Sequence, residues 1–229
     1  MNCFKSSKTG ATTSSGELVY ECGTPDITGE LNKFVMKYLI KETFGSSGSV
    51  INTLDVRLAM KGSCKKCLKS GLTFVARCDG RIVGALLQCV WRRGEKRESL
   101  EGLWNETFIV GLNYLAELEK DREQLLPANA VQVANCLGVS VHPDFRRRGI
   151  SQRLNELSLA KLRELGIQGI MVSATSPKSQ ALFAKIGFRT LCELKTGSYV
   201  DSKGRKYEAV IDENNAEYGK FMFLPITKE

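Results

Sequence analysis

Apolar and polar positions change their period several times along the chain, and each change marks an element. Leu18 to Cys22 alternates over a short run that reads as an edge strand. Asp26 and Thr28 offer N-cap side chains, and Leu31, Phe34, Val35, Tyr38 and Leu39 then recur at helical spacing, so a helix should run to about Gly45. Gly45 to Ser49 is a loop by composition, and about Asn52 to Leu68 is a second, weaker helical stretch. Leu72 to Cys78 and Arg81 to Val90 are strand-like runs separated by Asp79-Gly80. That dipeptide tolerates positive φ at both central positions of a type I′ turn and predicts a hairpin. Arg92 to Ser99 is a charged loop, and Leu103 to about Leu126 is helical in period.

The second half alternates more regularly. Val131 to Val141 is apolar enough to lie in the centre of a sheet. A helix (about Gly149 to Leu165), a strand (Gly169 to Ser173), a helix (about Pro177 to Lys185) and a strand (Phe188 to Leu194) follow. Ser198 to Asn215 is a polar excursion, and Glu217 to Leu224 is a closing strand. The order predicts a mixed α/β sheet with helices on its faces, built as one domain over residues 18–229. Met1 to Glu17 is polar and rich in Ser, Thr and Gly; it reads as a disordered tail without the apolar core of a secretory signal.

Composition narrows the picture little. Of 229 residues, 42% are hydrophobic and 25% charged, which suits a globular chain with a real core. No run approaches the roughly 18 apolar residues of a membrane-spanning helix, so no membrane partner is expected. The eight cysteines are scattered, several within strand-like runs, and read as free thiols of a cytoplasmic protein. Cys64-Lys-Lys-Cys67 is a lone CxxC with no second pair, so no metal is expected. The formal charge of +8 favours an acidic partner without choosing among nucleic acid, anionic membrane and phosphorylated cofactor. In the basic loop after Trp91, Glu95 and Glu98 interleave with Arg92, Arg93, Lys96 and Arg97, which favours a solvated loop over a nucleic-acid contact.

Candidate chemistry concentrates where the central strand ends. Val141 closes that strand and Pro143-Asp144 breaks it; Arg146, Arg147, Arg148 and Gly149 then lead into a helix with Leu154, Leu157 and Leu162 on its apolar side. The first N–H groups of a helix lack intrahelical partners, and its dipole places partial positive charge there. Gly149 clears a side chain from the approach, Ser151 is nearly as small, and the arginines add attraction for phosphate oxygens. Arginines at a helix start oppose the dipole, so a purely solvated surface explains them less well than an anion site.

The run from Arg146 to Ser151 resembles the acetyl-CoA signature of the GNAT superfamily of N-acetyltransferases, [Gln/Arg]-x-x-Gly-x-[Gly/Ala]. Arg146 and Gly149 match it, and Ser151 stands where Gly or Ala is usual. The preceding Val139-Ser-Val141-His-Pro143-Asp-Phe145 and the later Ala184-Lys-Ile-Gly187-Phe188 fit the same family. The resemblance implies a mixed, mostly antiparallel central sheet with splayed parallel strands and helices on both faces. It implies acetyl-CoA as co-substrate, with Val139, Ser140 and Val141 along the pantetheine arm. Arg146, Arg147, Arg148, Gly149, Ile150 and Ser151 would then hold the diphosphate. The implied reaction is direct attack of a neutral amine on the thioester.

Within that family the chain looks closer to the invertebrate arylalkylamine N-acetyltransferases. Many family members carry a tyrosine four residues before the Gly-Phe glycine as thiolate acid, and here Phe183 stands there. In the arylalkylamine branch a glutamate after the first helix acts as base, which points to Glu42; two hydroxyls at the start of the late helix match Thr175 and Ser179. A solvated carboxylate is the simpler reading of Glu42, and helix capping the simpler reading of the two hydroxyls. The lone histidine, His142, falls beside the phosphates in such a fold and is read as structural or anion-facing. Tyr38, Phe44, Trp104 and Tyr199 are candidate walls of an aromatic amine pocket, or simply core. The expected partner is a small-molecule amine, an arylalkylamine before a polyamine, with no nucleic acid, and the chain itself is expected to be a monomer or weak dimer. A CoA-binding module without catalysis is the rival class.

Overall fold

A computed structural model describes residues 16–40, 52–97, 99–207 and 216–226. Apart from Gly16 and Glu17, the expected N-terminal tail lies outside these residues, as do Glu42, Phe44 and the Gly45–Ser49 loop. Seven strands form one sheet: β1 (Leu18–Cys22), β2 (Phe74–Cys78), β3 (Arg81–Arg92), β4 (Gln132–Val141), β5 (Gly169–Ala174), β6 (Arg189–Lys195) and β7 (Tyr218–Pro225). Their spatial order is β1-β2-β3-β4-β5-β7-β6. Among the described residues only β4 and β5 pair in parallel, and every other neighbour is antiparallel, which makes the expected mixed, mostly antiparallel sheet.

Local chemistry explains most element boundaries. Asp79 and Gly80 join β2 to β3 with φ of 49° and 73°, the two positive values that a tight hairpin turn demands. The first helix starts on Pro25, with a 3₁₀ turn (Pro25–Ile27) leading into α1 (Thr28–Phe34). Proline suits a helix start because its missing N–H would have no partner there; Thr28 therefore lies inside the helix rather than capping it. A π turn (Val35–Ile40) continues the element. The helices α2 (Leu54–Lys69), α3 (Glu106–Leu118), α4 (Ile150–Glu164) and α5 (Pro177–Ile186) complete the set that frames the sheet.

The expected Leu103–Leu126 helix is shorter and broken. Asn105 caps α3 by accepting the Phe108 N–H, and after Leu118 the chain kinks into a separate turn, Arg122–Leu125. No glycine or proline marks that break. Its cause is tertiary: the Glu119 carboxylate turns into the sheet, where Ser173, Arg97 and Arg122 hold it.

The sheet separates two apolar layers. One gathers residues of α1, α2, α3 and β3, among them Leu31, Val56, Cys67, Leu87, Phe108 and Tyr114. The other lies beneath α4 and α5 and includes Leu86, Ile150, Leu154, Leu162, Val172 and Phe183. Each fully buried large apolar side chain contributes roughly 1.5–3 kcal/mol by leaving water. Tyr114, fully buried, adds polar anchoring: its hydroxyl donates to the Leu194 carbonyl at 2.8 Å and accepts the Gly219 N–H at 2.9 Å, tying α3 to β6 and β7. Asp55 does the same between helix starts, accepting the Trp104 and Asn105 N–H groups at 2.9 Å each. Burial works against its charged form, but these bonds and the Thr53 hydroxyl win and hold its carboxyl down to about 2.

Several basic residues also have structural work. Arg93 donates to the Glu123 carbonyl at 2.6 Å and the Pro127 carbonyl at 2.8 Å, so the loop after β3 is pinned to the Arg122–Leu125 turn. Among the described residues no helix is long and apolar enough to cross a membrane. Cys22, Cys64, Cys67, Cys78, Cys89, Cys136 and Cys192 are free thiols.

Candidate active site

The site begins with a failure of pairing. β4 and β5 are in register only at Ala134↔Ile170, Asn135↔Met171 and Cys136↔Val172. Beyond that point β4 stays with β3, through Ser140↔Ala85 and Val141↔Gly84, while β5 stays with β7. The register between β3 and β4 slips as Leu87↔Gly138 passes to Gln88↔Cys136, which leaves Leu137 as an extra residue. Such a bulge bends its strand and turns the residues beyond it in a new direction. Gly138 serves the same junction, since a Cβ there would stand 2.7 Å from the Leu39 side chain of the π turn. The two parallel strands therefore splay, and β4 presents an edge with no strand beside it among the described residues.

A cavity of about 430 Å³ fills the splay. Its walls come from Leu137–Val141 of β4, Val172–Ala174 of β5, the loop residues Phe145, Arg146, Arg147 and Gly149, the start of α4, and the start of α5, while Arg148 is not on the wall; Leu39 and Leu115 reach it from the opposite face of the sheet. Val139, Ser140, Val141, Arg146, Arg147, Gly149, Ile150, Ser151, Thr175 and Ser179 all lie on this surface.

The loop before α4 is built to expose backbone. The His142 ring packs against Tyr38 and Phe145, with centroids 4.9 Å and 5.7 Å away, and its Nδ1 accepts the Asp144 N–H at 3.3 Å. Of the two readings left open for His142, structural or anion-facing, these contacts supply a structural use. Arg146 Nε turns back to the Val141 carbonyl at 3.2 Å, and Arg148 lies over the Phe145 ring at 4.8 Å. Arg147 (φ 61°) and Gly149 (φ 75°) reverse the chain in the left-handed region. A Cβ added to Gly149 would meet nothing within 4 Å, so its backbone faces open space, and glycine takes that φ without strain. The first bond along α4 runs from the Arg153 N–H to the Gly149 carbonyl at 2.9 Å. The N–H groups of Ile150, Ser151 and Gln152 thus have no acceptor within the helix, and a 15-residue helix adds its dipole.

Ser140 makes a second polar demand. It is 5% exposed, lies on the cavity wall, and its hydroxyl has no partner among the described residues. An exposed helix start, an unpaired strand edge and an unsatisfied buried hydroxyl in one cavity fit an elongated ligand with anionic and amide groups, the chemistry of a CoA thioester. No group of three or more His, Cys, Asp or Glu among the described residues is arranged for a metal ion.

At the start of α5 the two hydroxyls differ. Ser176 and Ser179 form a reciprocal capping box: Ser176 Oγ accepts the Ser179 N–H at 3.1 Å, and Ser179 Oγ accepts the Ser176 N–H at 3.3 Å. Ser179 Oγ also donates to the Ser176 carbonyl at 2.9 Å. Capping therefore accounts for Ser179, whereas the Thr175 hydroxyl makes no hydrogen bond among the described residues. Phe183 is 2% exposed and packs on Phe188 with centroids 4.9 Å apart, so no phenol stands at that point of the wall.

Several wall residues escaped the sequence reading. Leu39, Leu115, Leu137 and Ser173 come from four elements, and Glu119 stands behind Ser173, whose hydroxyl donates to it at 2.6 Å. Only Gly138, a glycine inside a strand-like run, hinted at the bulge. Of the aromatic candidates, Tyr199 packs on Tyr114 at 5.4 Å and Trp104 is 61% exposed; neither is on the wall, and Tyr38 is engaged by Phe34 and His142.

Residues 53–188 match the model of the acetyltransferase (GNAT) family. Among solved structures, arylalkylamine N-acetyltransferase 2 of Aedes aegypti superposes with a TM-score of 0.75 at 22% identity, over 92% of this chain and 99% of that one. Putative arylalkylamine N-acetyltransferase 7 of the same mosquito gives 0.76 at 18% identity, over 92% and 88%. A polyamine N-acetyltransferase of Drosophila melanogaster that forms N-acetylagmatine gives 0.72 at 20% identity, over 91% and 100%. No curated protein sequence matches the chain significantly.

Proposed function

Because the chain belongs to the acetyltransferase (GNAT) family, we propose that it transfers an acetyl group from acetyl-CoA to a small amine, an arylalkylamine in the first instance. One observation carries this reading: a single cavity runs from the open amides of α4 into the gap between β4 and β5. The amides around Gly149 would hold the diphosphate, and the free edge of Val139–Val141 would pair with pantetheine amides like an added strand. The nitrogen lone pair attacks the thioester carbonyl, the C–S bond breaks, and CoA leaves as thiolate while the nitrogen sheds a proton.

Proton handling stays with hydroxyls and a carboxylate in this reading. Phe183 removes the phenol that many family members use, which turns attention to Thr175 and Ser179 on the wall. Thr175 is the better placed of the two, because capping occupies Ser179. Glu42 is the proposed base, on the strength of the family resemblance.

Two kinds of amine compete, since both arylalkylamine and polyamine N-acetyltransferases share this fold. Leu39, Leu115 and Leu137 make the far wall apolar, and the carboxylate behind it, Glu119, is already balanced by Arg97 and Arg122. That favours an aryl group over a second ammonium. The proposal carries with it a cytoplasmic monomer or weak dimer that works without a metal.

The test is release of free thiol from acetyl-CoA with a panel of arylalkylamines and polyamines. Arylalkylamine-dependent release is expected. Release with polyamines alone would reverse the substrate choice, and binding of CoA without release would leave a non-catalytic module.

A further inference from the structure

Val172 and Ser173 are consecutive on β5, and their side chains serve opposite faces of the sheet. Val172 belongs to the layer beneath α4 and α5, whereas Ser173 reaches Glu119 at the end of α3. Ser173 is also the first β5 residue beyond the last pair with β4, so it stands where the gap opens. Its hydroxyl has one proton, and that proton goes to Glu119 Oε1 at 2.6 Å. A hydroxyl that donates to a carboxylate keeps its lone pairs, and among the described residues nothing donates to them. At this spot the cavity is offered a hydrogen-bond acceptor rather than a donor.

The arrangement is held firmly. Arg97 and Arg122 lie 3.1 Å and 3.6 Å from Glu119 Oε2, and the Glu119 side chain is only 14% exposed. Arg122 is itself clamped, 4.8 Å over the Trp91 ring and donating to the Glu95 carbonyl at 3.1 Å. Two guanidinium groups already balance the carboxylate, so a further cation gains little from it. What remains is the Ser173 oxygen, on the wall of a cavity that Leu39, Leu115 and Leu137 also line.

We propose that Ser173, held by Glu119, orients the incoming neutral amine by accepting one of its N–H groups, which aims the nitrogen lone pair into the gap between β4 and β5. Ser173 touches the substrate, and Glu119 is a positioning residue acting through it. The inference rests on the reading that an amine enters this cleft.

Steady-state kinetics with tryptamine as the amine probe tests it. Ser173→Ala should lower kcat/KM for the amine about tenfold, the scale of one hydrogen bond, with KM for acetyl-CoA unchanged. Ser173→Thr, which keeps the hydroxyl, should restore near wild-type values. Glu119→Gln should act in the same direction, because its amide can donate to Ser173 and occupy a lone pair, and the double variant should be no worse than Ser173→Ala alone. A merely structural pair would instead lower the melting temperature and leave the ratio of the two substrates' constants alone. Unchanged amine kinetics in Ser173→Ala, or Ser173→Thr as impaired as Ser173→Ala, overturns the inference. A folded wild type that acetylates no amine overturns the proposed function itself, and the inference with it.

Discussion

The α4 end of the cleft is made of backbone from one stretch of chain, whereas the α3 end is made of side chains from separate segments. At the first, Val139 to Ser151 supplies a strand edge, a reversal and a helix start in sequence. At the second, Leu39, Leu115, Leu137 and Ser173 meet only because four elements pack together. Backbone groups bind whatever the side chains are, so the first end suits a constant partner and accepts Ser151 where the family prefers a smaller residue. Side-chain walls change with every substitution, so on the proposed function the choice of amine would reside at the second end.

The largest expected effect breaks the first end alone. Gly149→Glu brings a carboxylate to the open helix start, and repulsion with lost contacts should weaken CoA binding by about a hundredfold or more. The positive φ adds about 1–2 kcal/mol of strain to the fold. Calorimetric titration with CoA, beside a melting curve, separates the two; an unaltered Kd would remove the diphosphate from this loop.

The next effect falls on turnover. Glu42→Gln should reduce kcat about tenfold to a hundredfold and flatten the rise of kcat/KM with pH, while CoA affinity holds. An unchanged pH profile would strike Glu42 from the mechanism.

Sharpening the comparison from the other side, Tyr114→Phe leaves the half-buried Leu194 carbonyl and the buried Gly219 N–H without the phenol. It should lower stability by about 1–3 kcal/mol, or roughly 2–4 °C of Tm for each kcal/mol in a chain of this size. Because α3 carries Leu115, KM for the amine should move while CoA affinity does not. A shifted Kd for CoA would mean that the two ends are coupled.

The smallest effect concerns the joint between α2 and α3. Asp55→Asn should lose about 1 kcal/mol at neutral pH. The folded-state value of Asp55 is depressed, so its contribution is present above the ordinary 3.8 and is lost as pH falls towards about 2. Wild type and variant should therefore converge in Tm on acidification; a constant difference would show that the charge is not what the joint uses.

The same contrast explains what the chain disclosed in advance. The Asp79-Gly80 hairpin, the strand ending at Val141 and the helix opened by Gly149 arise from local rules acting within a few residues, and each stands where its pattern placed it. The break after Leu118 had no local cause, because Glu119 is drawn out of line by Ser173, more than fifty positions later. The bulge at Leu137 and the reach of Leu39 likewise depend on partners brought by the fold. The aromatic candidates illustrate the same limit: the pattern leaves Tyr38 and Tyr199 open between pocket wall and core, and their contacts with Phe34, His142 and Tyr114 are set only by the fold.

A crystal structure of the chain with acetyl-CoA bears most directly on the central claim. Diphosphate oxygens are expected within hydrogen-bond distance of the amides that open α4, with pantetheine laid along the free edge of β4 and the acetyl group in the gap. Cofactor bound at another place, or an α4 start packed shut by side chains, would contradict it.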